Sequence, residues 1–280
     1  MDMEVEDSEP EFFKPENKGF FSLLIESFKF FTLNLPAIAT IVIPVFLLAE
    51  ILVPIIEIFY DDLAEGATSW DWVNIILNNL IKSLISALIY SILAGIAYIA
   101  VIRVIAGAMH GEKLSPIQAM KDAIQMLPMF VVTALLYHLS FGFGLVLLIV
   151  PGIILFVWFH FWQFSYVLRG KGAVSGLMYS KSIVEDNFVR VSLYILGIWL
   201  FMYLMNSYGI GLIADLVASN VGEEGDIGYV LVNAIFVGIG RVFEGIRIIF
   251  LMTLFGGGIT DRMSPPGVQI PPSPPFLYWV

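Results

Sequence analysis

Cysteine is absent from the sequence, which excludes disulfide bonds, thiolate metal sites and a cysteine nucleophile. The GxSxG motif of serine hydrolases and the HExxH motif of zinc proteases are absent as well. His110, His138 and His160 fall in three separate predicted segments, so they cannot hold one metal ion together. The sequence therefore predicts a protein that is not an enzyme and that binds no metal and no cofactor.

Charged residues are also scarce. They make up 14% of the chain against 59% hydrophobic residues, and the mean hydropathy is +0.88. Soluble domains contain roughly 25% charged residues, so this composition predicts an all-α, polytopic membrane protein whose first partner is the lipid bilayer. Seven of the 24 acidic residues lie within the first sixteen positions, which places much of the net charge of −10 in a tail. Nucleic acid is excluded as a partner.

Residues 144–168 contain no Asp, Glu, Lys or Arg. At ~1.5 Å rise per residue, a helix of this length crosses the ~30 Å hydrocarbon layer of a bilayer. Pro151 and Gly152 lie within it and predict a kink, because proline lacks the backbone N–H that the helix needs. The sequence therefore predicts one kinked transmembrane helix here, preceded by a turn at residues 140–144.

Similar apolar runs predict six transmembrane helices, over residues 35–60, 83–107, 127–141, 144–168, 188–208 and 227–255. Segments with a mixed polar and apolar pattern precede three of them and predict amphipathic surface helices, over residues 19–34, from Ser115 to the start of the third span, and over residues 173–187. The predicted domains are an acidic tail over residues 1–18, a six-helix membrane domain over residues 19–255 and a proline-rich tail over residues 256–280.

The basic residues predict the orientation of this domain. Only Lys82 lies near the three loops on one side. The cations on the other side are Lys14, Lys18, Lys29, Arg103, Lys113, Lys121, Arg169, Lys171, Lys181, Arg190 and Arg262. Because cytoplasmic loops are enriched in Lys and Arg, both termini are predicted to be cytoplasmic.

The order of elements indicates an internal repeat. A serine precedes the start of a span by twelve or thirteen residues three times, at Ser22, Ser115 and Ser175. This spacing fits a unit of one surface helix and one transmembrane hairpin that is used three times. It fits equally well three independent lead-in helices, since any hairpin that enters from one side needs an amphipathic segment before it.

The main polar candidate lies in the sixth span. Arg241, Glu244 and Arg247 are spaced by three residues and share one helical face, so Glu244 can neutralise either arginine. The remaining arginine would need a partner such as Glu50 at a similar depth. Two interpretations are open at this stage: an ion pair that only fixes helix packing, or a functional polar site within the membrane.

Two further sites are predicted on the cytoplasmic side. Arg169 and Lys171, before the predicted helix at 173, indicate either a weak site for an anionic lipid headgroup or a flexible loop that caps a helix. The C-terminal tail combines a polyproline segment with aromatic residues, which favours docking on a partner or folding back onto the membrane interface. The candidate docking residues are Pro271, Pro272, Pro274, Pro275, Phe276, Tyr278 and Trp279.

Four segments carry a resemblance to known families, namely FFTLNLPAIATIVIP, ILAGIAYIAVIRVIAG, LLIVPGIILFVWF and KGAVSGLMYSKSIVEDNFVRVSLYILGIWL. Together they resemble the YciC-like family of uncharacterised bacterial inner-membrane proteins, over residues 22–255. The pattern is also similar to glycerophosphodiester phosphodiesterase membrane domains, and it rests on Pro151-Gly152, Gly172, Ser180, Asn187 and Arg190. The resemblance implies a six-span fold in the bacterial cytoplasmic membrane, without an established chemistry. Both tails depart from the family.

Three functions are compatible with these observations. The favoured hypothesis is a non-catalytic structural or accessory subunit of a larger membrane complex, which binds other subunits through its cytoplasmic tails. The alternative is a transporter or lipid-handling protein, for which a cavity that reaches the middle of the membrane would be the sign. A membrane enzyme ranks last, because no nucleophile, base or metal site can be assembled from the sequence.

The predicted orientation can be tested with reporter fusions. Fusions at Glu65 and Glu223 should report the outer side, and fusions at Glu112, Lys171 and Val280 the cytoplasm. Alkaline phosphatase and fluorescent-protein activity measure the two sides. A reversed signal at any one of these sites would contradict the six-span topology.

Overall fold

The computed structural model describes residues 19–64, 72–222 and 227–259, and the regular elements in these ranges are all helices. The prediction of an all-α protein is confirmed. The predicted N-terminal tail, most of the C-terminal tail and parts of the two acidic loops lie outside the described residues. The elements are α1 (Phe20–Ala64), α2 (Trp72–Met109), α3 (Pro116–Leu147), α4 (Ile149–Phe159), α5 (Trp162–Arg169), α6 (Ala173–Val184), a 3₁₀ turn (Glu185–Asn187), α7 (Phe188–Leu204), a π-helix (Met205–Gly211), α8 (Leu212–Ala218) and α9 (Ile227–Ile259).

Several helices have the length and composition of membrane spans. Five described segments are long and apolar enough to cross a membrane: Phe20–Val53, Asn79–Met109, Pro116–Val146, Ile149–Arg169 and Ala173–Ala218. Helix α9, with 33 residues, is a further long apolar helix. Many large apolar side chains are exposed on the outside of the bundle, among them Leu139, Val146 and Leu196. An apolar outer surface of this kind is typical of a protein surrounded by lipid.

Helix α1 is continuous where the sequence predicts a surface helix followed by a span. It contains 45 residues, or ~68 Å of helix, more than twice the ~30 Å hydrocarbon layer. Leu23, Phe31, Ile38 and Val45 are buried along it at intervals close to two helical turns. One face of α1 therefore packs against the bundle in both halves, including the half predicted to lie on the membrane surface.

The prediction of a single helix over residues 144–168 is wrong. Helix α3 continues to Leu147 through the predicted turn, and the backbone is extended at Leu148, with φ −166° and ψ 148°. A Cβ atom on Gly144 would lie 2.8 Å from the Cα of Gly152, so the missing side chains allow α3 and α4 to form a very tight hairpin. Pro151 lies in the first turn of α4, where the absent N–H would have no helical partner anyway.

A second interruption separates α4 from α5 at His160 and Phe161. Ser180 of α6 compensates for it, because its hydroxyl accepts the N–H of Phe161 at 3.0 Å and donates to the carbonyl of Trp158 at 2.7 Å. Ser180 is fully buried. Breaks in a helix within an apolar bundle require such partners, since no water is present to satisfy the freed backbone groups.

A buried ion pair joins α2 to α3. Arg103 and Asp122 are 2.8 Å apart, with side chains only 8% and 7% exposed, and Gln118 donates to the second oxygen of Asp122 at 2.8 Å. From the sequence, Arg103 was predicted to be one of the cytoplasmic cations. Asp122 was not predicted as its partner, because no local pattern links residues that are nineteen positions apart. In the structure Arg103 stabilises the helix pair from inside.

This ion pair generates a stability prediction. Arg103→Met or Asp122→Leu alone should destabilise the protein by ~3–5 kcal/mol, because each leaves the other charge buried without a partner. The double variant should be much closer to wild type, since no charge is then left buried. Unfolding of the purified protein in detergent, followed by circular dichroism, measures the cycle. Additive losses in the double variant would show that the pair does not act as a unit.

Candidate functional site

The three charged residues of α9 line one cavity between α1, α2, α7 and α9. Arg241, Glu244 and Arg247 all line this cavity, which has a volume of about 480 Å³. They lie near the midpoint of the 33-residue helix α9. The structure therefore brings together three of the four residues of the predicted polar cluster.

Glu244 forms an ion pair with Arg247. The Nε atom of Arg247 donates to Oε2 of Glu244 at 2.6 Å, and both side chains are partly buried. The guanidinium of Arg247 also lies 5.5 Å from the ring centroid of Trp199 and 5.9 Å from that of Tyr98. Cation–π contacts of this kind add to the ion pair and hold Arg247 in place.

Arg241 has different neighbours. Its guanidinium lies 5.4 Å from the ring centroid of Phe46 and 5.5 Å from that of Tyr90, and among the described side chains it forms no ion pair with a carboxylate. Glu50, which the sequence offered as its partner, is exposed and does not line the cavity. Arg241 is thus a cation of the cavity wall that lies against the aromatic rings of Phe46 and Tyr90.

The remaining walls are mainly apolar. Helix α1 contributes Val42 and Phe46, α2 contributes residues from Tyr90 to Val101, and α7 contributes residues from Trp199 to Tyr203. Trp199 and Tyr203 are 48% and 61% exposed, so the wall formed by α7 reaches the outer surface of the bundle. The cavity therefore reaches the protein surface on the α7 side.

A π-helix contributes an amide to the cavity wall. Asn206 lies in the wide turn Met205–Gly211, and a Cβ atom on Gly240 would lie 3.0 Å from its Oδ1 atom. The missing side chain of Gly240 therefore lets α9 approach Asn206 closely. Single π-turns within α-helices occur frequently at functional sites. The sequence pattern did not predict a role for this residue, although a polar Asn-Ser pair within an apolar span was a visible signal.

The hydroxyls of two tyrosines in the wall form no hydrogen bond with the described residues. The oxygen atoms of Tyr90 and Tyr98 are buried. Buried polar groups in native proteins almost always have a partner, because leaving one unpaired costs ~1–3 kcal/mol. Because both oxygen atoms are buried, they are not exposed to the cavity, which Tyr90 and Tyr98 line with their rings.

At the predicted headgroup site, some of the groups that would bind an anion already make contacts within the protein. Lys171 lies 3.8 Å from the ring centroid of Tyr179, and Arg169, in the last turn of α5, is partly buried. The N–H of Ala173, at the start of α6, donates to Thr133 Oγ1 at 2.8 Å. One of the backbone donors that would bind an anion is therefore used within the protein, and the headgroup site stays a prediction.

The candidate docking residues of the C-terminal tail, from Pro271 to Trp279, lie outside the described residues. Docking of this tail on a partner protein stays a prediction from the sequence.

One family model matches part of the chain. Residues 78–222 match the family model described as "Domain of unknown function (DUF7847)", which is slightly more than half of the 280 residues. The match includes the cavity walls from α2, α7 and the π-helix, whereas the arginines of α9 lie beyond it. No curated protein and no solved structure matches the chain, so the resemblance to the YciC-like family stays a prediction. The chain belongs to the family of the domain of unknown function DUF7847.

Proposed function

We propose that this chain is an integral membrane protein that binds a hydrophobic or amphipathic ligand within its helical bundle, as a transporter or a lipid-handling protein does. The cavity beside Arg241 carries the proposal. Charged residues are costly within an apolar bundle, and where they occur they are candidates for a functional site by default. Two arginines and a glutamate around one cavity are difficult to explain as packing alone.

The dimensions and lining of the cavity support this proposal. Its volume of about 480 Å³ falls within the ~300–1,000 Å³ of small-molecule sites, which are mostly apolar with a few polar groups that orient the ligand. Access from the α7 side suits a ligand that enters from the surrounding lipid. The proposal includes six spans with both termini in the cytoplasm, and the bacterial inner membrane as the location.

The accessory-subunit hypothesis rests on other parts of the chain. Its motivation is the acidic N-terminal tail and the proline-rich C-terminal tail, which lie outside the described residues apart from the end of α9. It also depends on partner subunits, and it stays a prediction from the sequence. The two functions are compatible, since a ligand-binding membrane protein can also belong to a complex.

Filling the cavity tests the proposal. Ala94 of α2 is a small side chain of the wall, so Ala94→Phe should place a ring in the space that the ligand occupies. Leu88 lies on the same helix, is 57% exposed and does not line the cavity, which makes Leu88→Phe the matched control. We expect wild type and Leu88→Phe to retain a stoichiometric lipid or small molecule through delipidation in detergent, and Ala94→Phe to lose it.

Mass spectrometry of organic extracts measures the retained molecule per protein. Thermal unfolding of the three proteins checks that Ala94→Phe remains folded. Equal ligand content in Ala94→Phe and wild type, or no retained molecule in any of them, would contradict ligand binding at this cavity.

A further inference from the structure

We propose that Arg241 binds the anionic group of an amphiphile, a carboxylate or a phosphate, while the apolar part of the ligand lies along the aromatic wall toward α7. This inference rests on the proposed function, since it names the ligand class of the same cavity. The geometry that supports it is the different pairing of the two arginines on one helix face.

The charges of the cavity wall are the first reason to expect an anionic ligand. Three ionisable side chains of the wall carry two positive charges and one negative charge, and Glu244 is already paired with Arg247 at 2.6 Å. Arg241 therefore contributes a positive charge to the cavity wall without an ion pair to a described carboxylate. A cation in an apolar bundle is stabilised by an anion within reach. A ligand with an anionic oxygen group supplies that anion.

The hydrogen-bonding capacity of Arg241 points to the same kind of ligand. A guanidinium has five N–H donors and no acceptor. Arg241 lines the cavity and forms no hydrogen bond or ion pair with the described residues. The ionised oxygens of a carboxylate or phosphate are acceptors, so they match these donors. A neutral hydrocarbon would leave the guanidinium without an acceptor.

The rest of the cavity is lined by surface that suits an apolar chain. Phe46, Trp199 and Tyr203 provide apolar and aromatic surface next to the charged residues. The exposed fractions of Trp199 and Tyr203 show that this surface continues to the outside of the bundle. A small free anion would make no use of it. An amphiphile fills both parts, with its anionic group at Arg241 and its chain toward the lipid.

Binding of three ligands that share one chain tests the proposal on the full-length protein in a neutral detergent, after the retained ligand has been removed by prolonged exchange into excess detergent. Oleate carries a carboxylate, oleoyl lysophosphatidic acid carries a phosphate, and oleyl alcohol carries neither. We expect saturable binding of one or both anionic ligands in calorimetric titrations, at least about tenfold tighter than binding of oleyl alcohol. The preferred anion identifies the source of the anionic group. Inorganic phosphate alone should not bind.

Arg241→Gln should weaken the anionic ligands by about tenfold or more and leave oleyl alcohol unchanged. Arg190→Gln is the matched control, because it removes the same charge from an exposed position on α7, and it should bind like wild type. Arg241→Lys keeps the charge and should retain more affinity than Arg241→Gln. If Arg241→Gln does not fold, Arg241→Lys gives a second test, since it keeps the charge but not the bidentate geometry and should bind the anionic ligands more weakly than wild type, with oleyl alcohol unchanged.

Equal affinity of wild type for oleate, lysophosphatidic acid and oleyl alcohol would overturn the proposal, as would unchanged anion binding in Arg241→Gln. Phosphate binding as tight as oleate binding would overturn the assignment to an amphiphile. If oleyl alcohol binds as tightly as the anions and Ala94→Phe abolishes all binding, the cavity binds a neutral ligand, so the proposed function stands and this inference falls. If no ligand binds and none is retained on purification, both fall.

Discussion

The ion pair between Arg247 and Glu244, with 2.6 Å between its atoms, lines a cavity whose other walls are mainly apolar. Charge at that position must be neutralised, because an apolar environment stabilises single ions poorly. The neighbouring helices are arranged accordingly, with aromatic rings of α1, α2 and α7 around the two arginines. Glu244 is bound to Arg247, Arg241 forms no ion pair with a carboxylate among the described side chains, and the cavity provides space in which an anion can bind.

The helices that pack beside the cavity walls are joined by polar contacts. Ser180 satisfies two backbone groups between α4 and α5, and Thr133 accepts the N–H of Ala173 where α6 begins. Arg103 and Asp122 join α2 to α3 from inside. These contacts are buried or partly buried, where hydrogen bonds and ion pairs have little competition from water. The wall of the cavity formed by α2 is therefore attached to α3 by an ion pair, which suits a preformed binding site.

Much of the fold follows from composition, whereas the connections and the site do not. Long apolar runs predicted the helices, and the spacing of Arg241, Glu244 and Arg247 predicted that they share one face. The turn between α3 and α4 was misplaced, because Gly144 signals a break in sequence but in the structure only permits Gly152 to approach. Glu50 was predicted as a partner of Arg241 because both lie at a similar depth in the membrane. Depth does not determine towards which neighbour a side chain on a helix points. Asn206 reaches the cavity through a π-turn, which no periodic pattern indicates.

An experimental structure of the full chain in nanodiscs made with lipids from its native membrane tests the central claim most directly. The claim predicts elongated ligand density between α2 and α7, with its anionic end within hydrogen-bonding distance of the Arg241 guanidinium and the Arg247–Glu244 pair unchanged. Arg241 paired with a carboxylate of the protein, such as Glu50, beside a cavity filled by side chains would contradict it.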